Sequence, residues 1–331
     1  MAETKNIGDI AEKISKDIFK HFMWEIHPKR DDNFKCSNNE HKGKGGKSKA
    51  THPGDVVFYY TDPYLGKTIY LHTDLKSYAA DSISTNQLRT AFKSLSMTIE
   101  CGKESSNWRE KYSVDESEAH EVRGMLFVHN YDANYEKSFD EAINRINLSS
   151  LPVAPGSILH FLNPYDIQRL YSIVNDIMRL KSEDELPKKY TYYYPDLDMI
   201  RRQGDVWNQP ATLESLVAPY LIIKHPKIEK TEPGYLIYYN RPGESPEEFV
   251  YFLDTLSRYQ MLESGQKIRI RVTDKSAIDD LKSVFETAKR KYVKAWGFDS
   301  DREEILNGID IERITSVTST YNPGDMGWRD E

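Results

Sequence analysis

The stretch that decides the fold is HPGDVVFYYTDPYLGKTIYLHTDLKS, residues 52–77. Two apolar runs, at about 55–60 and 68–74, flank the polar segment DPYLGK at 62–67. Apolar runs on either side of a short segment with Pro and Gly predict an antiparallel β-hairpin. The rest of the amino-terminal fold is predicted outward from this hairpin.

The register of the hairpin pairs two acidic residues. If DPYLGK forms the connection, Thr61 lies opposite Thr68, and the position numbers of each opposed pair sum to 129. Asp55 is then directly opposite Asp74. Opposed residues have β-carbons ~4.5–5.5 Å apart, so the two carboxylates repel each other unless a cation lies between them. The sequence therefore predicts a cation site at this end of the hairpin.

Neighbouring residues fit a divalent metal and a hydrolytic reaction. Side chains alternate along a strand, so Lys76 and His72 share the face of Asp74. Asp55, Asp74 and the backbone carbonyl of Leu75 supply hard oxygen ligands of the kind that Mg²⁺ or Mn²⁺ prefers. An ammonium beside such a metal can orient a water or offset charge on a phosphoryl group. These residues therefore predict phosphodiester hydrolysis.

A simpler interpretation of these residues needs no metal. Asp55 can end a turn after Gly54, and Asp74 with Lys76 can form an exposed ion pair worth ~0–1 kcal/mol. That interpretation does not explain why the two aspartates lie opposite each other on paired strands. Nor does it explain why both strands are otherwise apolar. The metal site is therefore the favoured hypothesis.

Segments on either side of the hairpin complete an α/β pattern. Apolar residues recur every three to four positions over 6–23 and again over 83–99, which predicts two helices. The run RGMLFVHNY at 123–131 is a predicted buried strand. In chain order the elements are helix, strand, strand, helix and strand. We expect antiparallel and parallel pairs to mix in the resulting sheet.

These residues resemble the PD-(D/E)XK nuclease superfamily. The resemblance is carried by Glu12 in GDIAEKI, Asp55 in PGDVVF, and Asp74 with Lys76 in HTDLKSY, and it covers about residues 6–130. It implies a restriction-endonuclease-like α-β-β-α-β nuclease core. It also implies that the two aspartates bind a divalent metal, that the lysine assists the attacking water, and that the helix acid joins the site.

Two features of the sequence depart from the common pattern of that superfamily. One further residue, Gln87, agrees with that pattern. Gly54 separates Pro53 from Asp55, a variant seen among members, and a long basic segment precedes the motif. Gln87, on the second predicted helix, resembles a polar residue that many members place near the site. A solvated position on the helix surface is an equally good interpretation of Gln87.

The basic segment is residues 29–49, which hold seven Lys or Arg against three acids on a glycine-rich background. This composition predicts a mobile loop. Flexible lysines in such a loop can contact DNA backbone phosphates without reading sequence, although a solvated loop fits equally well. The candidate nucleic-acid-binding lysines are Lys42, Lys44, Lys47 and Lys49.

Two other motifs in this segment are weak. Its Gly-Lys-Ser resembles the end of a phosphate-binding loop, but His41 stands where the first glycine belongs, so no nucleotide cofactor is expected. Cys36, His41 and His52 could ligate zinc, but they lack a second tightly spaced ligand pair, which makes structural zinc the less favoured hypothesis. With only two cysteines, the second being Cys101, no disulfide framework is predicted.

The second half of the chain restarts an α/β alternation. From about residue 219, strands and helices alternate again, so we predict a nuclease domain with a helical extension at 1–215. A second, smaller α/β domain for assembly or regulation is predicted at 216–331. The sequence carries neither an apolar signal-peptide core nor an apolar run of membrane length, which predicts a cytoplasmic protein without a membrane partner.

Together these observations predict a metal-dependent endonuclease that acts on DNA. The net charge of −7 over 331 residues suggests that a homodimer or a second protein subunit completes a positive DNA channel. By analogy with families of this organisation, the expected role is bacterial defence against phage or foreign DNA. The alternative is a non-catalytic, nuclease-like scaffold that binds a partner protein, and a nucleotide hydrolase is a weaker third hypothesis.

Overall fold

The structure of the chain is a computed structural model. It describes the ranges 2–115, 117–132, 139–147, 151–195, 208–227, 231–262, 266–297 and 300–315. The described residues form two compact units, which divide the chain between Gln168 and Arg169. No helix in these ranges combines the length and the apolar character needed to cross a membrane.

The first unit is built on a five-stranded mixed sheet in the order β1-β4-β5-β6-β7. The hairpin strands pair antiparallel, while β5–β6 and β6–β7 pair parallel. A separate antiparallel pair joins β2 and β3. The strands are β1 (Glu25–Ile26), β2 (Phe34–Lys35), β3 (Thr51–His52), β4 (Val56–Asp62), β5 (Lys67–Tyr78), β6 (His120–Asn130) and β7 (Leu159–Leu162).

Helices follow the order expected from the sequence. They are α1 (Ala2–Asp17), α2 (Thr85–Glu104), α3 (Ser106–Lys111) and α4 (Phe139–Asn144). Ser84 starts α2, since its hydroxyl accepts a hydrogen bond from the backbone amide of Gln87. The chain order α1, β4, β5, α2, β6 confirms the predicted α-β-β-α-β core, including its mixture of parallel and antiparallel pairs.

Alternating residues of the sheet face two different layers. One face packs on α2, where Val57, Leu126 and Val128 share a core with helix residues such as Leu95 and Ile99. Gly124 of β6 permits this close approach, because an added β-carbon would lie 2.7–3.0 Å from three side-chain atoms of its neighbours. The opposite face packs on the short helical turn after α1, where Phe19 contacts the rings of Phe58 and Phe127.

The basic segment is folded, and the prediction of a mobile loop was wrong for its described part. β2 and β3 close its two ends, and Lys42 bridges Ser48. Strand β3, and not a helix, follows its Gly-Lys-Ser triplet, so it lacks the context of a phosphate-binding loop. Composition alone gave a wrong prediction of mobility, because backbone pairing and buried side chains at the ends hold the segment in place.

The second unit has its own five-stranded sheet, in the order β12-β11-β10-β9-β8. The β10–β11 and β11–β12 pairs are parallel, while β9 pairs antiparallel with both β8 and β10. The strands are β8 (Thr191–Tyr192), β9 (Tyr220–His225), β10 (Gly234–Tyr239), β11 (Lys267–Val272) and β12 (Asp310–Arg313). The helices are α5 (Pro164–Ser182), α6 (Leu213–Val217), α7 (Pro246–Arg258), α8 (Leu281–Ala295) and α9 (Ser300–Asn307).

The division of the chain falls well before the junction predicted near residue 215. Two contacts explain the difference: β8 forms an edge strand of the second sheet, and Asp176 of α5 accepts hydrogen bonds from Tyr238 and Arg271 of that sheet. The described residues just before the predicted junction therefore belong to the second unit, while residues 196–207 lie outside the described ranges.

Candidate active site

The hairpin has the register predicted from the sequence. Thr61 lies opposite Thr68, and Val56, the first residue of β4, lies opposite Thr73. Asp55 directly precedes Val56, so the same register sets it against Asp74 on the neighbouring strand β5. In the parallel pair with β6, Asp74 lies beside Leu126, a residue of the core under α2, so the two acids face that helix.

Asp55 is carried by a short arm that the backbone holds in place. The amide of Asp31 donates a 2.9 Å hydrogen bond to the carbonyl of Asp55, and the amide of Asp32 donates one of 3.0 Å to that of Gly54. A β-carbon on Gly54 would lie 2.6 Å from the Asp32 carbonyl oxygen and 2.9 Å from the Tyr112 hydroxyl. The glycine between Pro53 and Asp55 is thus required by close approach of the backbone.

His72 supports the same arm from the strand below it. Its Nε2 lies 2.8 Å from the carbonyl oxygen of Pro53, and the indole Nε1 of Trp108 donates to its Nδ1 at 3.3 Å. Because the indole can only donate, Nδ1 accepts and Nε2–H donates to Pro53. Burial lowers the pKa of His72, which agrees with a neutral ring. His72 therefore supports the arm through the hydrogen bonds of its ring.

The negative charge of the acidic pair is only partly compensated by its surroundings. Burial, together with the negative charge of Asp74, raises the pKa of Asp55 to about 7. The carboxylate of Asp55 accepts a 3.0 Å hydrogen bond from the amide of Leu75, and Lys76 forms an ion pair with Asp74. Burial disfavours the ammonium of Lys76, but Asp74 and Asp55 outweigh that effect and raise its pKa. One lysine does not fully compensate the buried carboxylate of Asp74 and the half-buried carboxylate of Asp55.

Side chains of α2 close a narrow pocket beside the acids. Ser94, Leu95 and Thr98 line it together with Asp55 and Asp74, among others, around a volume of about 10 Å³, close to what a single water requires. The motif pattern pointed to Gln87 on this helix and missed these residues. Thr98 follows Leu95 by three positions and Ser94 by four, which places the three residues on one side of α2, a signal that was present in the sequence.

The four candidate DNA-binding lysines of the basic segment have different surroundings. Lys49 is half-buried and donates a 3.3 Å hydrogen bond to Ser94 Oγ, which brings its ammonium to the rim of the pocket. Burial lowers its pKa. Lys42 and Lys47 are exposed, and Lys42 Nζ bonds the carbonyl of Asn39 at 3.1 Å. The side chain of Lys44 lies outside the described part of the structure.

Glu12 and Gln87 lie at more exposed positions. Glu12 of α1 pairs with Arg30 at 2.9 Å, and 67% of its side chain is exposed. No contact described for its carboxylate reaches Asp55 or Asp74. Gln87 is exposed in the first turn of α2, seven residues before Ser94 and hence on the same helix face, ~10 Å along the axis. The structure thus brings Asp55, Asp74 and Lys76 together in one contact group. Glu12 and Gln87 lie outside that group.

The residues at the centre of this group fit a divalent cation. Two carboxylates on one buried face are the hard, anionic donor set that Mg²⁺ or Mn²⁺ uses. The raised pKa of Asp55 indicates that the pair lacks positive charge even beside Lys76. A divalent ion would supply that charge, with the backbone carbonyl of Leu75 as a further candidate ligand.

The comparisons with known proteins agree with this geometry. Residues 1–165 match the family model described as the GAPS4 protein PD-(D/E)XK nuclease domain. A search of curated proteins and a search of solved structures gave no significant match. The matched range contains α1, the hairpin, α2 and β6, and therefore every residue of the contact group described above. By this match, residues 1–165 carry a nuclease domain of the PD-(D/E)XK superfamily.

Proposed function

We propose that the chain is a metal-dependent endonuclease that hydrolyses phosphodiester bonds in DNA. The observation that carries the proposal is the placement of Asp55 against Asp74 across two strands, with Lys76 ion-paired to Asp74 on the same face. A purely structural role does not explain this trio, since two like charges held close together away from water cost stability. Such strain is typical of functional sites.

In this proposal, Asp55 and Asp74 hold Mg²⁺ or Mn²⁺ together with the backbone carbonyl of Leu75. When bound there, a divalent ion would supply Lewis-acid chemistry for a phosphoryl oxygen and for the attacking water. Asp55 has to give up its proton to act as a ligand, because its pKa is raised to about 7 without metal. The Leu75 amide, which donates to the Asp55 carboxylate, orients that side chain.

Lys76 is assigned to the attacking water. Its ammonium remains charged because Asp74 and Asp55 raise its pKa above that of a free lysine. A charged Nζ at this position orients the water by hydrogen bonding and offsets the negative charge that develops on the phosphoryl group. We assign Lys76 to positioning and charge stabilisation, and not to abstraction of the proton.

The remaining residues have accessory roles. Glu12 joins the site from α1 as the helix acid, with Arg30 as its partner in the absence of DNA. The basic segment and Gln87 contact the DNA backbone, with Lys49 at the rim of the pocket. The proposed lysine contacts are Lys42, Lys44, Lys47 and Lys49. Backbone contacts of this kind bind DNA without reading its sequence.

We further propose a role in bacterial defence against phage or foreign DNA, with cleavage in the cytoplasm. The support is the description of the matched family as a nuclease domain of the GAPS4 protein. A homodimer or a second subunit would complete a positive channel on a chain whose net charge is −7. The second compact unit, which has its own core, is assigned to assembly or regulation.

Cleavage of supercoiled plasmid and linear DNA in Mg²⁺ tests the proposal. We expect cleavage by the wild type, alone or with a co-purified partner, and a loss of at least about 10²-fold in Asp74→Asn. Asp81→Asn changes an exposed carboxylate on the same unit and should cleave as the wild type does. Glu12→Gln should lose less than Asp74→Asn, because Glu12 is exposed and paired elsewhere.

Two outcomes would contradict the proposal. If the wild type and its partners neither bind a divalent metal nor cleave DNA, the non-catalytic scaffold is the better account. If Asp74→Asn cleaves as fast as the wild type, the site has been assigned to the wrong residues.

A further inference from the structure

Four side chains that the proposed nuclease reaction does not use converge between the basic segment and α2. Cys36 follows β2, His41 lies within the segment, His52 ends β3, and Cys101 lies on α2. His41, His52 and Cys101 are buried, and Cys36 is half-buried. Their four candidate ligand atoms all lie within 4.8 Å of one another. Both cysteines are free thiols.

The distances within this cluster match a tetrahedral metal centre. The two sulfur atoms are 3.8 Å apart, and His41 Nδ1 lies 3.4 Å from Cys36 Sγ and 3.5 Å from Cys101 Sγ. A tetrahedron with Zn–S bonds of ~2.3 Å and Zn–N bonds of ~2.1 Å has S···S edges of ~3.8 Å and S···N edges of ~3.6 Å. A disulfide would need sulfurs at ~2.05 Å.

A carboxylate fixes the protonation of the His41 ring. His41 Nε2 lies 3.2 Å from Glu100 Oε2, and a carboxylate can only accept, so Nε2 carries the hydrogen. Asn38 donates a 2.7 Å bond to the other oxygen of Glu100 and holds it in place. The lone pair of Nδ1 therefore faces the two sulfurs. A carboxylate behind a ligating histidine is a common arrangement in metal sites.

A hydroxyl fixes the His52 ring in the same way. Thr98 Oγ1 donates its one hydrogen to the Ser94 carbonyl at 2.9 Å, so it accepts from His52 Nδ1 at 3.2 Å. That assignment leaves Nε2 of His52 without a proton. This nitrogen is buried, and no hydrogen-bond partner is described for it, on a side chain with 0% exposure. A buried lone pair of this kind is costly unless something binds it.

We propose that Cys36, His41, His52 and Cys101 form a closed, tetrahedral Zn²⁺ site. The residue types and geometry are those of structural zinc, whose four ligands all come from the protein. The two thiolates neutralise the ion, and the two imidazoles are already oriented towards it. No position remains for a substrate, so the ion has a structural role that does not depend on the nuclease reaction.

The zinc site connects two parts of the chain that lie beside the active-site pocket, the basic segment and α2. It ties Cys36 and His41 of the basic segment, and His52 just after that segment, to α2, the helix that lines the active-site pocket. His52 is followed by Pro53, Gly54 and Asp55, so the ion anchors the chain just before the catalytic arm. Zinc would thus hold Asp55 in place and keep the lysine-rich segment folded beside the pocket.

Metal analysis of the purified full chain tests the proposal. We expect about one zinc per chain after purification without chelator, with other transition metals at trace level. Cys36→Ser and Cys101→Ser should each lose this zinc. Asp74→Asn should keep it, which separates this site from the acidic pair, and His120→Gln serves as a control for a histidine outside the cluster. Glu100→Gln should weaken zinc binding by about 10-fold or more.

Thiol reactivity of the wild type covers the case in which the cysteine variants do not fold. With zinc bound, Cys36 and Cys101 should resist a thiol reagent, and chelation should make both react. Co²⁺ in place of zinc should give the visible absorption of a tetrahedral site with thiolate ligands. The proposal is overturned if reduced wild type binds no zinc, if zinc is retained in Cys101→Ser, or if chelation leaves thiol reactivity unchanged.

Discussion

The carboxylate of Asp55 accepts a 3.0 Å hydrogen bond from the backbone amide of Leu75, the residue between Asp74 and Lys76. One backbone group thus connects the first acid, on its arm before β4, to the motif on β5. The contact orients the Asp55 carboxylate without neutralising it, since an amide carries no net charge. The consequences of that uncompensated charge can be measured.

Lys76 should contribute to the reaction more than to metal binding. Lys76→Met removes the ion pair with Asp74 but leaves both carboxylates free to bind metal. We expect cleavage to fall by at least about 10²-fold, while the affinity for Mn²⁺ in a calorimetric titration stays equal or rises. Lys93→Met changes an exposed lysine on α2 and should leave both quantities unchanged. Loss of Mn²⁺ affinity in Lys76→Met would contradict this role.

The raised pKa of Asp55 predicts a specific dependence of stability on pH. The folded chain holds a proton at Asp55 up to about pH 7, whereas an unperturbed aspartate, with a pKa of 3.8, loses it at about pH 4. The stabilisation present at low pH is therefore lost as pH rises from about 4 to about 7. One pKa unit corresponds to about 1.4 kcal/mol, so the loss can reach a few kcal/mol.

Thermal unfolding of wild type and Asp55→Asn at about pH 5 and about pH 8 checks this. The wild type should lose stability relative to Asp55→Asn as pH rises, and Mg²⁺ should restore it at the higher pH. Comparison with the variant removes the contribution of buried histidines such as His72, whose lowered pKa has the opposite effect on stability. A difference between the two proteins that does not change with pH would contradict the electrostatic account.

Gly54 should tolerate no side chain. Gly54→Ala places a β-carbon 2.6 Å from the Asp32 carbonyl oxygen, so the arm that carries Asp55 must shift. We expect a loss of about 1–3 kcal/mol in the free energy of unfolding, together with weaker Mn²⁺ binding. Gly43→Ala is the matched control, because its nearest neighbour is 3.8 Å away. Unchanged stability in Gly54→Ala would show that the arm is free to move.

The basic segment should bind DNA through phosphates. Substituting both Lys42 and Lys47 by alanine should weaken DNA binding equally on unrelated sequences. It should also reduce the slope of log affinity against log salt by up to about 2. The same change at Lys188 and Lys189, exposed lysines of the second unit, is the control. An unchanged salt slope in the first variant would exclude this segment from the DNA contact.

The hairpin register could be predicted because strand periodicity is two and the turn segment fixes which residues oppose each other. Once Thr61 is set against Thr68, Asp55 must meet Asp74, and the structure has that register. The position of Lys76 on the same face as Asp74 follows from the alternation of side chains along a strand alone. These inferences use only residues close together in sequence, which is why they could be made without a structure.

The zinc cluster could not be assembled from sequence in the same way. Cys36, His41 and His52 lie near one another in the chain, but the fourth member, Cys101, lies far along it on α2. Only the packing of that helix against the basic segment completes the set. The domain boundary was missed for a related reason, since the short strand β8 gains its partner β9 across a long connection.

A crystal structure of the chain grown with Mn²⁺, with anomalous data that locate the ion, tests the central claim most directly. The account predicts one manganese in contact with the carboxylates of both Asp55 and Asp74 and with the carbonyl of Leu75, and Lys76 Nζ beside a metal-bound water. If Mn²⁺ supports cleavage but no manganese lies between Asp55 and Asp74, the shared-ion account is contradicted.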